Sequence, residues 1–448
     1  MKTLSLREGA FRLFRFNVLS FAMRLVSSAV VARVMGPAAM GMWLLLSLLP
    51  TYAEGFGRLK TDVAAVYVLG KGRWSVGEVS LALNVIALAA GWLCVAVLLF
   101  GEPWIEPWLF GAAGIDKRLY VATALMIPVH FLAMNYAYLL LHFEDVALYN
   151  AQAFLRSVFP GGLAATLLLT TSWRLEALVY SLLSGGVAGL CCAAIAVHRR
   201  ERMQRVRTPG LYPELLGFGR RMYLAGVIEH LNQYLGSLLV GLELATRELA
   251  FFRLGQDRLQ LLDQVPSAIN TLLYPRIART SASADQAELA MRCVRALAVV
   301  LLACSLLGAV LAPLAVRLLY GADYFPMTWS IWILLPGVAA LGITSPVTQF
   351  FLGTGRPGLI WKLALVPLLL QVALLVPLIR AAGFRGAALA ISLSFLVYAV
   401  ARVNLLARMT GRRVADVIVP RREDFAMVWN FLRERLPLRG LARAGGGR

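Results

Sequence analysis

An all-α polytopic membrane protein, with about twelve transmembrane helices, is the fold class this sequence predicts. Three observations carry that expectation. Of 448 residues, 59% are hydrophobic and only 15% are charged, more apolar side chain than one water-soluble core absorbs. Apolar runs of the ~20 residues needed to cross a bilayer recur along the whole chain. The basic residues, 44 Lys and Arg against 24 Asp and Glu, gather in alternate gaps between those runs, as the positive-inside rule requires. A cytosolic enzyme on a membrane anchor is excluded.

In chain order the expected spans are 10–34, 38–60, 76–100, 118–142, 146–170, 174–198, 215–241, 246–275, 290–318, 325–352, 357–380 and 384–409. The lead-in carries Arg7, Arg12 and Arg15 and lacks an A-x-A cleavage site, so it reads as a cytoplasmic approach to the first helix. Most Lys and Arg then fall in cytoplasmic segments, and both termini are placed inside. The loop after the third span carries Glu102, Trp104, Glu106, Trp108 and Asp116, the pattern of an interfacial loop with aromatic anchors. Five cysteines lie in apolar stretches without a CxxC pair and read as small hydrophobes.

One basic break, His198–Gly210 (HRRERMQRVRTPG), divides the chain nearly in half. The expected organisation is therefore a bundle over 1–200, a basic cytoplasmic linker over 201–212, a second bundle over 213–410 and a basic tail over 411–448. In the tail, Phe425, Val428, Trp429 and Leu432 share one helical face opposite Arg433 and Arg435, as in an amphipathic helix on the inner leaflet or against a partner. The halves also resemble each other. At an offset of about 210 residues, SSAVVARVMGPAAMGMW (Ser27–Trp43) falls on GSLLVGLELATRELAFF (Gly236–Phe252), and WRLEALVYSL (Trp173–Leu182) on FRGAALAISL (Phe384–Leu393). Similarly, LMIP ending at Pro128 falls on ILLP ending at Pro336. Two pseudo-symmetric bundles of about six helices around a central cavity follow, an architecture of transporters.

The residues that do not belong in lipid point to that cavity. Asn17, Ser20, Arg24 and Ser27 share one face of the first span, and Ser47, Thr51, Glu54, Arg58 and Thr61 one face of the second. In the seventh the stripe is Glu229, Asn232, Gln233, Gly236 and Glu243. In the eighth it is Arg253, Asp257, Gln260, Gln264, Ser267 and Thr271. Under the internal repeat, Arg24 falls on Gln233, Glu54 on Asp263 and Arg58 on Ser267. A lone charge costs at least ~2.5–3.5 kcal/mol at the bilayer centre, so four such stripes call for a shared aqueous path. Plainer readings stand beside this one: Arg253 and Asp257, at i,i+4, neutralise each other, and Arg15, Arg58 and Arg276 snorkel to headgroups. Arg24 has no acid three or four residues away.

No P-loop, HExxH or G-x-S-x-G run is present, and the four histidines are scattered, so nothing in the sequence supports an enzyme. His230 follows Glu229, but adjacent helical positions point some 100° apart, which argues against a relay.

ARVMGPAAMGMW after the first span, YAEGFGR in the second, YGADYFPMTWSIWILLPG (Tyr320–Gly337), FLGTGRPG (Phe351–Gly358) and GFRGAALA (Gly383–Ala390) together resemble the polysaccharide-biosynthesis flippases. These belong to the multidrug/oligosaccharidyl-lipid/polysaccharide exporter superfamily. The resemblance extends to about Arg408. It implies alternating-access transfer of an undecaprenyl-diphosphate-linked oligosaccharide across a bacterial inner membrane, for cell-surface polysaccharide. It implies contacts with membrane lipids, other glycan-assembly proteins as partners, and no nucleic acid. The family's cationic cavity positions would fall on Arg24, Arg253 and Arg258. Arginine suits a diphosphate because its planar fork binds phosphate in a bidentate manner. Asn17, Asn232, Gln233, Gln260 and Gln264 suit sugar hydroxyls. Glu54, Glu229, Asp257 and Asp263 either couple transport to H⁺ or Na⁺ or hold Arg58 and the other arginines in place. No metal or organic cofactor is implied. The chain fits lipid II flippases less well, since those relatives carry two more spans. A multidrug/cation antiporter of the same fold is the alternative and predicts that acids dominate the cavity. A membrane polymerase needs a larger outer loop than 101–119, and a non-transporting scaffold leaves the polar stripes without a purpose.

Overall fold

In hydrocarbon each backbone N–H and C=O must be satisfied within the chain, and for apolar runs of this length the helix is the local solution. A computed structural model describes residues 6–111, 114–143, 145–204, 210–279, 283–356 and 358–421, with side-chain surroundings from residue 19 onward. The side chain of Asn17 and the tail helix expected around 424–435 lie outside the described residues. All elements among the described residues are helical. Among the described residues eight helical runs are long and apolar enough to cross a membrane, Ala147–Thr170 and Met327–Gly353 each counted as one, and the chain is a multi-pass membrane protein.

The helices are α1 (Leu6–Gly57), α2 (Thr61–Gly70), α3 (Val76–Phe100), α4 (Glu102–Phe110), α5 (Lys117–His142), α6 (Val146–Ser157), α7 (Phe159–Thr170) and α8 (Leu175–Arg200). After the linker come α9 (Leu211–Glu243), α10 (Thr246–Leu259), α11 (Gln264–Arg279), α12 (Ser283–Tyr320), α13 (Met327–Ile343), α14 (Ser345–Gly353), α15 (Gly358–Thr410) and the short α16 (Val414–Ile418). Two of them are pairs of expected spans run together. In α1 the break is at Gly36 (φ 75°, ψ 167°), a backbone region open only to glycine, and Pro37 starts the next helix. In α15 it lies at Ala382 and Gly383, the latter at φ 60°.

Elsewhere proline cuts expected spans. Pro160 lacks the N–H that would continue α6, and the span 146–170 divides at Val158. Pro346 does the same between α13 and α14. The span 246–275 is likewise not one helix: α10 ends at Leu259, a turn covers Gln260–Asp263, and α11 starts at Gln264, because Pro266 denies residue 262 its hydrogen-bond partner. The stripe read there as one face is therefore two short helices and a turn. In the other direction, the loop expected between 60 and 76 contains α2. Several breaks recur about 210 residues apart, the interval of the motif repeat. Gly36 corresponds to the α9–α10 junction at 244–245, and Arg174 to Gly383. α9 is absent from these eight because its polar residues lower its hydropathy, and α10 because its 14 residues are too few to span.

The chain divides into two compact units. Unit 1 comprises Met1–Arg258, Pro313–Ser330 and Gln371–Ala390. Its core gathers Leu69, Trp74, Leu83, Tyr136, Leu140 and Leu215 from α2, α3, α5 and α9. Lipid offers no hydrophobic drive between helices, so close approach and polar contacts hold them. A Cβ on Gly41 would stand 1.7 Å from the carbonyl oxygen of Thr246, so only glycine permits that approach of α1 to α10. The Asn135 amide donates to the Leu83 carbonyl at 3.0 Å, and the Asn84 amide to the Tyr136 hydroxyl at 2.8 Å. Unit 2 comprises Leu259–Ala312, Ile331–Leu370 and Ile391–Arg448. Its core joins Leu273, Met291, Leu301, Phe351, Val403 and Val417. Arg295, 2% exposed, donates to the Asp416 carbonyl at 2.9 Å and meets Glu288 at 3.1 Å, tying α16 to α12.

Gly36 and Gly162 both have open space where a Cβ would go, but only Gly36 has positive φ. Gly36→Ala is expected to lower stability by about 1–3 kcal/mol, and Gly162→Ala, inside α7, to leave it equal or higher. Thermal unfolding of the two purified variants in detergent checks this contrast.

Candidate functional site

The polar side chains of unit 1 form two groups. The first lies where α1 hands over to α2. Lys60 at φ 54° breaks the helix, yet the track of Glu54, Arg58 and Asp62, four residues apart, continues across the break. The Arg58 guanidinium meets Glu54 at 2.8 Å and pairs with Asp62. Asp62 is fully buried and Arg58 only 8% exposed. The far carboxylate oxygen of Glu54 stands 3.0 Å from Nε2 of His130 on α5. Arg156 on α6 lies within electrostatic reach of both Glu54 and Arg58. Arg58 is thus enclosed by carboxylates, which corrects the reading that it snorkels to headgroups. These pairs also explain why α2 is helical: the charges that end the hydropathic run at Arg58 and Asp62 neutralise each other.

The second group joins α9 and α10 to both segments of α1. Arg253 pairs with Asp257 at 3.2 Å, lies over the Tyr234 ring at 4.6 Å and donates to the Ser237 hydroxyl at 3.3 Å. The i,i+4 neutralisation expected for Arg253 and Asp257 is present, with an aromatic and a hydroxyl partner added. His230 sits among Tyr52, Phe56 and Tyr234, with ring centroids 4.6–6.4 Å apart. Glu229 is exposed, so these neighbours on one helix do face apart. Asn232 receives the Gln371 amide on its backbone carbonyl at 3.3 Å, and Gln256 donates to the Gln233 carbonyl at 3.3 Å.

Arg24 and Arg258 complete this group. Arg24 is exposed and lies within electrostatic reach of Arg258 and Asp257. Among the described residues it makes no hydrogen bond or ion pair. Arg258 is over the Tyr320 ring at 5.9 Å, and the Tyr320 hydroxyl lies 3.4 Å from Ser28, one turn beyond Arg24 on α1. Three guanidinium groups thus share one region of unit 1 with Asp257, and Glu54 lies within electrostatic reach of Tyr234 and His230 there. That arrangement can bind an anion of more than one charge, since the arginine forks accept bidentate oxygens and the rings hold the guanidinia without neutralising them.

Gln260, Asp263 and Gln264 belong to unit 2, in the turn before α11 and at its first residue. The Gln264 amide approaches the Gln260 carbonyl at 3.5 Å, and Asp263 is exposed. Sequence reasoning passed over Asp62, His130, Arg156, Tyr234 and Tyr320. Asp62 was legible as the residue four after Arg58, and Tyr234 as the residue three before Ser237. His130, Arg156 and Tyr320 come from distant segments and left no local signal.

Asp62→Asn leaves Arg58 buried with one carboxylate fewer. It is expected to lower stability by about 3 kcal/mol, and the double variant Asp62→Leu with Arg58→Met to recover most of it, as read by thermal unfolding of the purified proteins.

Comparison with known proteins adds the following. The family model described as "Polysaccharide biosynthesis protein" matches residues 75–328. No curated protein matches the chain. Among solved structures, the fold is similar to the lipid II flippase MurJ in an inward closed conformation, with a TM-score of 0.72 at 14% identity over 95% of this chain and 93% of that one. It is similar to the Vibrio cholerae MATE transporter VcmN, with a TM-score of 0.63 at 14% identity over 91% and 98%. It is also similar to a MOP superfamily transporter from Pyrococcus furiosus, with a TM-score of 0.61 at 13% identity over 90% and 95%. The fold is that of MOP-superfamily transporters. The poorer fit to lipid II flippases expected from the number of spans does not extend to the backbone, which matches nearly the whole of that chain.

Proposed function

The chain belongs to the polysaccharide biosynthesis protein family, and from that premise we propose that it is a flippase. It moves an undecaprenyl-diphosphate-linked oligosaccharide across the bacterial inner membrane by alternating access, supplying cell-surface polysaccharide. The observation that carries this reading is Arg24, exposed in a membrane-spanning helix, without a paired acid among the described residues and grouped with Arg258, Arg253 and Asp257. A guanidinium is kept in such a place only if something else neutralises it. A diphosphate does so, and in a low-dielectric path its oxygens gain most from bidentate donors. Asn232 and Gln233 meet sugar hydroxyls, and Glu229 offers an exposed carboxylate on the same helix. Arg58, held between Glu54 and Asp62, shapes the helix on which Glu54 sits.

The acids and His130 support a subsidiary reading. Glu54, paired with the His130 imidazole at 3.0 Å, supplies a carboxylate for coupling to H⁺ or Na⁺. A multidrug/cation antiporter uses the same pair, but its substrate gives Arg24 no partner.

In a strain lacking the gene, lipid-linked oligosaccharide is expected to accumulate while surface glycan falls, both restored by the wild-type gene. Arg24→Ala removes charge-assisted bonds and is expected to reduce export at least about tenfold, with the protein still present in the membrane. Normal glycan with altered resistance to cationic drugs would identify the antiporter instead.

A further inference from the structure

The end of unit 1 expected to face away from the cytoplasm carries more exposed arginine than a positive-inside topology accounts for. Arg33, Arg174, Arg247, Arg317, Arg380 and Arg385 are all exposed there. Three of them have structural partners. Arg33 donates to the Leu318 carbonyl and Arg174, at 2.9 Å, to the Val34 carbonyl, both where a helix ends and its last carbonyls lack partners. Arg380 pairs with Glu243 at 3.3 Å.

The other three are placed differently. Arg247 lies over the Phe251 ring at 5.3 Å, Arg317 over Phe325 at 4.6 Å, and Arg385 over Trp329 at 4.6 Å. Among the described residues their guanidinium groups form no hydrogen bond or ion pair. The rings beneath two of them are connected: Phe251 meets Phe384 at 5.8 Å, and Arg385 also lies over Phe384 at 5.9 Å, both rings being buried. Segments far apart in the chain, α10 and the break in α15, therefore set two guanidinia on one aromatic base, while Arg317 at the end of α12 has its own ring in Phe325. A guanidinium seated on a ring face keeps its N–H edge for a bidentate acceptor. Trp329 remains 41% exposed beside Arg385.

Glu248 and Asp323 occupy the same segments, so the patch is not a uniform positive field that would attract any anionic bilayer. It offers localised forks next to an indole face. That pairing fits a sugar ring bearing a carboxylate: the ring's C–H face packs on the indole and the carboxylate meets the fork. We propose that this arginine–aromatic patch binds uronic-acid sugars of the translocated glycan, so that the substrate class is an acidic polysaccharide. The inference rests on the flippase reading for the presence of a glycan, but its binding test is independent of transport.

The full chain in phosphatidylcholine nanodiscs would be titrated with tetragalacturonate and with neutral maltotetraose. The acidic oligosaccharide is expected to bind at least about tenfold more tightly, and the triple variant Arg247→Gln, Arg317→Gln, Arg385→Gln to lose most of that preference. Should the triple variant fail to fold, Arg385→Gln alone carries the test, with a loss of about threefold. Equal affinity for the two sugars, or unchanged tetragalacturonate affinity in the variant, overturns the proposal. So does displacement of tetragalacturonate by phosphatidylglycerol added to the discs, which would make the patch a headgroup site. The three substitutions leave the Arg24 group intact, so the binding test is read apart from export. Binding that persists in a protein shown not to export glycan would therefore contradict the flippase reading and leave the patch standing.

Discussion

Charge that enters a bilayer must be neutralised within the protein, and the polar interior of this chain is organised around that requirement. An ionised side chain at the membrane centre costs at least ~2.5–3.5 kcal/mol, more than a single packing contact between helices returns. Arg58 meets the requirement locally, with Glu54 and Asp62 on either side along its own track. Arg253 meets it with Asp257, Ser237 and the Tyr234 ring. Arg24 has electrostatic neighbours but, among the described residues, no paired acid. The contrast among these three arginines separates charges that build the fold from one that is left for a substrate under the proposed function.

The backbone obeys the same requirement. Helices break where glycine or proline makes a break cheap, at Gly36, Val158–Pro160, the turn before Pro266, Ser345–Pro346 and Gly383. Several breaks lie beside polar residues. The turn Gln260–Asp263 opens just after Arg258, and the break at Lys60 lies between Arg58 and Asp62. Interrupted helices present side chains and backbone groups at angles a continuous helix cannot, and a polar surrounding satisfies the freed groups.

Much of this was legible in the sequence. Hydropathy located α3 to the residue and α5 and α8 to within a residue or two at each end, because apolar length alone decides those elements. The i,i+4 pairing of Arg253 with Asp257 was readable because both lie on one helix. The failures have specific causes. The ten residues of α2 are too few for a span, so hydropathy left them in a loop, although Asp62 there pairs with Arg58. The eighth span ignored Pro266, so a stripe drawn on one helix face was placed across a turn. His130, Arg156 and Tyr320 reach their partners from distant segments, and single-chain periodicity carries no record of such contacts.

The central claim is that Arg24 and its neighbours hold a diphosphate. The most direct test is binding of undecaprenyl diphosphate, against undecaprenol of the same chain length, to the purified chain by native mass spectrometry. The account predicts that the diphosphate binds at least about tenfold more tightly, with a preference that weakens as salt rises and is largely lost in Arg24→Ala. Equal binding of the two lipids, or a diphosphate preference unchanged in Arg24→Ala, would contradict it.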